Sequence, residues 1–293
     1  MRDTRDMLLV LLSLLLMLTG CSRRDILDDY PVSGVEISLD WNGVTNKLPE
    51  GVRVIFYPKN AEGRKIDTYL SVKGGKVKVP PGRYSVVVYN YDTETVQIRG
   101  EEAYETIEAF TGHCNGLGIA GTEQLVWGPD PLYVVRIDDL KIENSEEELQ
   151  LNWKPKLVVK TYSFKLKVQG LEYVSSIVGS IEGMSSCYDL GLGCGKAGDS
   201  PIYFAARGSA GEVTGSFTVF GTSEGVISRA GNAIKLTLAF VKTDNKVQKM
   251  EVDITEVIAN SESGGSGGDD DGDEPFKEIE LPVEDEVKVD KPD

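Results

Sequence analysis

Apolar and polar residues alternate over much of the chain. In the segment 35–41, Val35, Ile37 and Leu39 share one face and polar residues occupy the other, which is the two-residue period of a half-buried β-strand. The valine run at residues 86–88 instead predicts a strand buried on both faces. No long window keeps a strong helical period, so the pattern predicts an all-β protein. Strands are predicted at residues 35–41, 52–57, 69–72, 76–79, 84–91, 95–99, 105–110, 132–137, 148–153, 162–168, 174–181, 201–206, 213–220, 234–242 and 248–254.

The spacing of these strands favours β-sandwiches. They recur every 8–15 residues with Gly, Asn and Asp between them, whereas βαβ units would need intervening helices. The pair Gly74-Gly75 predicts a hairpin turn, and Lys154-Pro155 separates two halves. We therefore expect one sandwich over residues 34–153 and a second over residues 156–260.

The bulky aromatic residues give the strands a testable phase. Val213, Phe217 and Val219 share one alternating face of the segment 213–220, and Phe220 falls on the other, so Phe217 is predicted to lie in the second core. Trp41 and Trp153 occupy apolar positions of strands and are also predicted to be core residues. Trp127 precedes Gly128-Pro129 and is predicted to lie on a loop.

The N-terminus reads as a targeting signal. Arg2 and Arg5 precede an apolar run at residues 7–18, which is shorter than the roughly 20 residues that a membrane-spanning helix needs and fits the apolar region of a secretory signal. The run ends in Leu18-Thr19-Gly20-Cys21, the pattern of a bacterial lipobox. We expect residues 1–20 to be removed, Cys21 to be lipidated, and residues 21–33 to form a tether. An ordinary signal with a chance cysteine is the alternative.

Charge is concentrated at the C-terminus. The chain of 293 residues has 31 Lys and Arg against 47 Asp and Glu, a formal net charge of −16, and residues 261–293 alone hold 13 acids and 3 bases. This balance argues against a nucleic-acid partner, because a phosphate polyanion needs a basic face.

The acidic tail also contains a strand-like pattern. The stretch SESGGSGGDDDGD at residues 261–273 has the composition of a flexible linker. Beyond it, Ile279, Leu281 and Val283 alternate with polar residues and Pro282. We predict that residues 276–283 dock as an edge strand, in cis or in trans. A disordered acidic tail is the alternative.

Several motifs resemble functional sites without their structural context. Residues 193–198 fit G-x-G-x-x-G, but the surroundings are all-β, so a surface loop is expected. Residues 267–278 match part of an EF-hand loop, but Gly267 stands where the first carboxylate belongs. His113, the one histidine, is predicted to lie on a loop, which leaves no base for a Ser or Cys nucleophile. We therefore expect a non-enzymatic protein without catalytic residues, cofactor or metal site.

Three cysteines remain after Cys21. Cys187 and Cys194 lie in a Gly-rich stretch where a disulfide is sterically conceivable in an exported protein, which would leave Cys114 unpaired. Three thiols with His113 could alternatively form a Cys₃His zinc site, but their spacing fits no familiar pairing.

The lipobox, the two β halves and several local runs resemble a family of exported Bacteroidales lipoproteins related to the fimbrillin-like and minor-fimbria anchor proteins. The resemblance covers roughly residues 15–260. The matching runs are residues 52–58 (VRVIFYP), 75–84 (GKVKVPPGRY), 89–91 (YNY), 93–94 (TE), 165–176 (KLKVQGLEYVSS), 180–184 (SIEGM), 213–221 (VTGSFTVFG) and 252–255 (VDIT).

The resemblance implies two tandem transthyretin-like Greek-key sandwiches on a surface-exposed outer-membrane lipoprotein. It further implies a role as a fimbrial anchor, accessory or other adhesion subunit that pairs with fimbrial subunits by strand addition. The alternative is a glycan-binding surface lipoprotein of a polysaccharide-uptake system. Exposed aromatic clusters would favour sugar, whereas an open sheet edge or an apolar groove would favour fimbrial assembly.

Overall fold

A computed structural model describes residues 33–45, 47–60, 63–114, 124–145, 147–197, 200–220, 233–263, 276–283 and 287–292. These residues form an all-β protein with one α-helix, as the alternation predicted. No helix in these ranges is long and apolar enough to cross a membrane. The elements are β1 (Ser33–Leu39), β2 (Gly51–Pro58), β3 (Ile66–Ser71), β4 (Gly74–Val79), β5 (Gly82–Asn90), β6 (Val96–Arg99), β7 (Glu108–Thr111), β8 (His113–Cys114), β9 (Leu125–Trp127), β10 (Tyr133–Ile142), β11 (Leu149–Trp153), β12 (Lys156–Leu157), β13 (Val159–Gln169), β14 (Val174–Glu182), β15 (Ser185–Asp189), β16 (Cys194–Ala197), β17 (Ile202–Ser209), β18 (Glu212–Phe220), β19 (Lys235–Lys242), β20 (Val247–Asp253), α1 (Thr255–Ser263), β21 (Phe276–Glu280) and β22 (Val287–Lys288).

The first sheet holds eight strands in the order β11-β1-β4-β3-β2-β5-β10-β12. Side chains from β1 and β11 at one end and from β10 near the other belong to one buried cluster, the first core. A sheet whose two ends share a core must curve round it. Val86 and Val88 of β5 enter this core and Val87 faces away from it, so the prediction of a strand buried on both faces is confirmed.

The second sheet runs β20-β19-β14-β17-β18-β15-β7-β6, and β13 pairs along β18 as well. Its inward side chains form the second core, in which Tyr162 stacks on Phe217 with ring centroids 5.3 Å apart. Phe217 is 1 % exposed. The predicted phase is confirmed, because Val213 and Val219 join Phe217 there while Phe220 points elsewhere.

The two sheets meet at a junction core. Tyr57 and Val87 on the outer face of the first sheet pack with Tyr188, Leu190 and Phe220 from later in the chain. Within the second sheet, β7, which precedes the predicted boundary, runs antiparallel to β15, which follows it. Strands from before and after the predicted boundary at residues 153–156 therefore share one sheet, and the division into residues 34–153 and 156–260 stays a prediction.

One helix was missed in the all-β prediction. Residues 255–263 form α1, so the helix includes the first three residues of the predicted linker 261–273. Ile258 is fully buried in the second core, and its backbone N–H donates to Ile254 O at 3.0 Å. A helix of 9 residues contains little more than one repeat of the helical apolar pattern. A search of the sequence for that period cannot detect so short a stretch.

The first predicted hairpin turn is displaced. Residues 72–73 make the turn, and Gly74 begins β4. Gly74 is required there because its φ is +98° and a Cβ would lie 2.0 Å from Ile37 O on β1. The glycine pair thus marks a close approach between strands rather than the turn itself.

Other polar segments predicted as loops form strands. His113 lies on β8, Trp127 lies on β9, and Cys194–Ala197 form β16, so all three loop predictions are wrong. Trp127 is 43 % exposed. Trp153 is buried in the first core as predicted, and Trp41 is partly buried against it with its Nε1–H donating to Val72 O at 2.6 Å.

Candidate subunit interface

The tail forms a strand along β13, as its alternation predicted, but the strand ends at Glu280 rather than at residue 283. β21 runs parallel to β13, with Thr161 opposite Phe276 and Lys165 opposite Glu280. The pairing is in cis, within one chain. Since β18 occupies the other edge of β13, the tail completes that strand on both sides.

Burial follows the tail's alternation. Ile279 is 4 % exposed and Leu281 is 6 % exposed, and both belong to the second core. Val283 is partly buried against the same core. Phe276 begins the strand and is 51 % exposed. The apolar row therefore faces inward, and Glu278 and Glu280 remain at the surface.

The tail touches the second sheet again beyond the strand. β22 pairs in parallel with the end of β13, where Val168 lies opposite Val287. On its other side, the Gln248 side chain of β20 bonds to the backbone of Lys288 and Asp290. The tail thus lies in a seam between β13 and β20, and we call this groove the seam.

Two polar contacts link the described part of β21 to its neighbours. Lys277 Nζ donates to Ser261 O of α1 at 2.8 Å. Lys165 and Glu278 form an ion pair at 3.3 Å, but both side chains are about two-thirds exposed. An ion pair that exposed contributes little to stability. Apolar burial and backbone pairing therefore hold the tail.

The cysteines lie away from the seam. Cys114, Cys187 and Cys194 are free thiols. Cys187 lies opposite Lys196, and Cys194 lies opposite Asp189, so the two occupy diagonal positions of the β15–β16 hairpin. Among the residues described, no group of three or more His, Cys, Asp or Glu side chains is arranged to hold a metal ion.

The same hairpin carries a charge network beside the junction core, in which the carboxylates are buried and the cations are largely exposed. Lys196 Nζ lies 2.9 Å from both Glu108 and Asp189, and Arg99 also bonds to Glu108. Burial alone would raise the pKa of Glu108, but hydrogen bonds from Lys196 and Arg99 outweigh it and the pKa is lowered. Hydrogen bonds to Asp189 and Glu108 raise the pKa of Lys196. Lys196 and Arg99 thus place positive charge on the two buried carboxylates of this network.

A cleft of about 750 Å³ opens beside this junction. Its wall includes Tyr104, Arg136 and Asp138. Tyr104 Oη donates to Asp138 at 2.7 Å and accepts from Arg136 Nε at 3.1 Å. These three polar side chains are therefore hydrogen-bonded to one another.

Exposed aromatic pairs are crossed rather than coplanar. Tyr69 and Tyr91 meet at 77°, and Trp127 and Tyr203 meet at 89°. Neither pair offers the flat shared face on which a sugar chain stacks. The seam is apolar, and in this chain its own tail fills it.

Two predicted features lie outside the described residues. These are residues 1–32, which include the signal, Cys21 and all of the predicted tether but Ser33, and the acidic stretch 267–275 of the EF-hand-like segment.

The family of the chain follows from comparison with known proteins. Residues 20–205 match the family described as "Domain of unknown function (DUF5119)", and the chain belongs to this family. A curated relative from Bacteroides ovatus, "Putative fimbrium anchoring subunit Fim4B", is 60 % identical over 305 residues, which cover 100 % of this chain and 91 % of the relative.

Solved structures share the fold. The crystal structure of "a putative adhesin" from Bacteroides ovatus is 57 % identical, with a TM-score of 0.77 over 94 % of this chain and 98 % of that one. The fimbrial anchor protein Mfa2 from Porphyromonas gingivalis is 12 % identical, with a TM-score of 0.51 over 80 % of this chain and 85 % of that one. The likeness to Mfa2 is one of fold alone.

Proposed function

We propose that this chain is a non-enzymatic fimbrial anchor that is held in the outer membrane by lipid on Cys21 and exposed at the cell surface. The relative named as a fimbrium anchoring subunit supports the role, and the lipobox supports the attachment. Several acyl chains on one cysteine give stable anchoring, because each buried CH₂ contributes about 0.8 kcal/mol. The tether 21–33 then separates the membrane from β1.

The observation that carries this proposal is the strand in the seam. β21 makes only 5 residue pairs with β13, and it follows the long glycine-rich segment 264–275. A neighbouring subunit could offer the same backbone bonds in trans, which is the β-augmentation mode of recognition. If the tail left the seam and paired with a neighbouring subunit, it would therefore replace its backbone hydrogen bonds to β13 with equivalent ones.

Competition between the two pairings depends on concentration. The short, glycine-rich composition of residues 264–275 is typical of linkers that give a tethered segment an effective concentration of about millimolar at its own site. A neighbouring subunit displaces the tail only when its own effective concentration reaches that of the tail. Subunits that are held close together at a membrane meet this condition. The tail of the isolated protein should accordingly stay in its own seam, and assembly should release it.

A disulfide lock tests strand addition. Ser163 on β13 lies opposite Glu278 on β21, and both positions alternate with inward-facing residues. The double variant Ser163→Cys/Glu278→Cys should trap the tail in cis when oxidised. We expect the oxidised form to lose binding to fimbrial subunits from the same cells, and a reductant to restore it.

The two single variants are the controls, because each adds a thiol without a partner across the strands. Cross-linking is verified by the mass of a tryptic peptide that joins β13 to the tail. Unchanged subunit binding by the fully oxidised double variant would refute strand addition through the tail.

A further inference from the structure

Val289 is enclosed at the end of the tail. It is 1 % exposed and belongs to the second core. Its backbone N–H donates to Gln169 O at 2.9 Å, which continues the pairing that β22 makes with β13. Val289, four residues before Asp293, is therefore buried more completely than Ile279 in the tail strand itself.

Gln248 is the polar member of an inward-facing row on β20. Met250 and Val252 alternate with it and pack against the second core, while Lys249 and Glu251 face solvent. An apolar side chain would be expected at the position of Gln248, because this face covers a core. The amide there is explained by what it contacts.

The Gln248 amide binds the backbone on either side of Val289. Nε2 donates to Lys288 O at 2.8 Å, and Oε1 accepts from the N–H of Asp290 at 3.0 Å. In a parallel ladder, one residue bonds in this way to the carbonyl before and the N–H after the residue that it faces. The side chain thus takes the place of a neighbouring strand.

Gly170 closes the opposite wall. Its φ is +84°, and a Cβ would lie 2.4 Å from Val289 O. The chain can turn here and still admit the tail only because the residue has no side chain. Gly170 and Gln248 therefore flank the same residue from two directions.

We propose that Gln248 and Gly170 form a latch that holds Val289 and keeps the tail in its own seam. The latch binds an extended backbone segment with a buried aliphatic residue at its centre. In this structure the bound segment is residues 288–290 of the same chain. In the framework of the proposed function, it sets how readily β21 becomes available to a neighbour. Release at residues 287–290 shortens the docked segment to the five pairs of β21.

Amide hydrogen exchange on the full-length protein, followed by mass spectrometry, tests the latch. Gln248→Ala removes both backbone bonds and should speed exchange at residues 287–290 roughly tenfold, the effect of losing hydrogen bonds of ordinary net strength. Glu251→Ala on the outward face of β20 is the matched control and should leave that exchange unchanged. Gly170→Ala should speed it from the opposite wall.

The outcomes separate the latch from the function on which it builds. Exchange at residues 287–290 that is the same in Gln248→Ala as in the parent overturns the latch, whether or not fimbrial subunits bind. Faster exchange in Gln248→Ala and Gly170→Ala, but not in Glu251→Ala, supports it. A further outcome is that the variants exchange faster at residues 287–290 while both the variants and the parent fail to bind any fimbrial subunit. In that case the latch stands and the proposed function fails.

Discussion

The substitution Ile279→Ala tests whether apolar burial holds the tail. Ile279 is 4 % exposed in the second core, so truncation removes most of a buried side chain. Such changes cost about 2–5 kcal/mol, with the lower values at sites that can relax. A five-residue edge strand can relax, so we expect about 2–4 kcal/mol.

This cost should fall on local opening of the tail. Among the strands described, β21 pairs with β13 alone, and the remainder of the second core has its own ladders from β18 to β20. A loss of 2–4 kcal/mol corresponds to roughly 30- to 700-fold faster exchange of the amides of β21, at tenfold per 1.4 kcal/mol. Global unfolding should change less than this local opening.

Hydrogen exchange of the β21 amides measures local opening of the tail, and denaturant unfolding of the whole protein measures global stability. Phe276→Ala on the same strand is the matched control, because Phe276 is 51 % exposed. The reasoning is refuted if the two variants exchange at equal rates over residues 276–280. It is also refuted if the parent already exchanges there at random-coil rates, since the tail would then not be docked.

Two further predictions concern the membrane and the junction core. Cys21→Ser should move the protein from the membrane pellet to the soluble fraction, while Cys194→Ser should not; a Cys21→Ser protein that stays membrane-bound contradicts lipid anchoring. Burial raises the pKa of Tyr188 to about 12, and burial together with a hydrogen bond to Asp138 raises that of Tyr104 to about 12. Because a raised pKa favours the folded, neutral tyrosine, the stability it contributes is complete below pH 10 and is lost as the pH rises through about 12. Tyrosinate absorbance and tryptophan fluorescence should therefore change together in that interval, whereas gradual ionisation with constant fluorescence would contradict the prediction.

The sequence indicated most strands because alternation is a local signal. The predicted segments 162–168 and 213–220 lie within β13 and β18, and the predicted inward faces are the ones that pack. Short strands escaped because they contain too few residues to alternate. β15 and β16 span only 5 and 4 residues that are rich in Ser, Cys and Gly.

Pairing between distant segments was beyond the reach of local patterns. The tail's alternation predicted a docked strand, but not that its partner is β13, over a hundred residues earlier. Gln248 carried no signal either, since one glutamine in an alternating segment looks like an ordinary surface residue. Only the backbone groups around Val289 give it a role.

The acidity of the tail and its docking are compatible for a geometric reason. Residues 261–293 hold 13 acids, which would oppose burial if the tail entered the core as a whole. A strand buries only alternate residues, so Ile279 and Leu281 enter while Glu278 and Glu280 keep their water. Charge and docking therefore use different faces of one segment. Of the two predicted alternatives, the structure shows the docked strand rather than the disordered acidic tail.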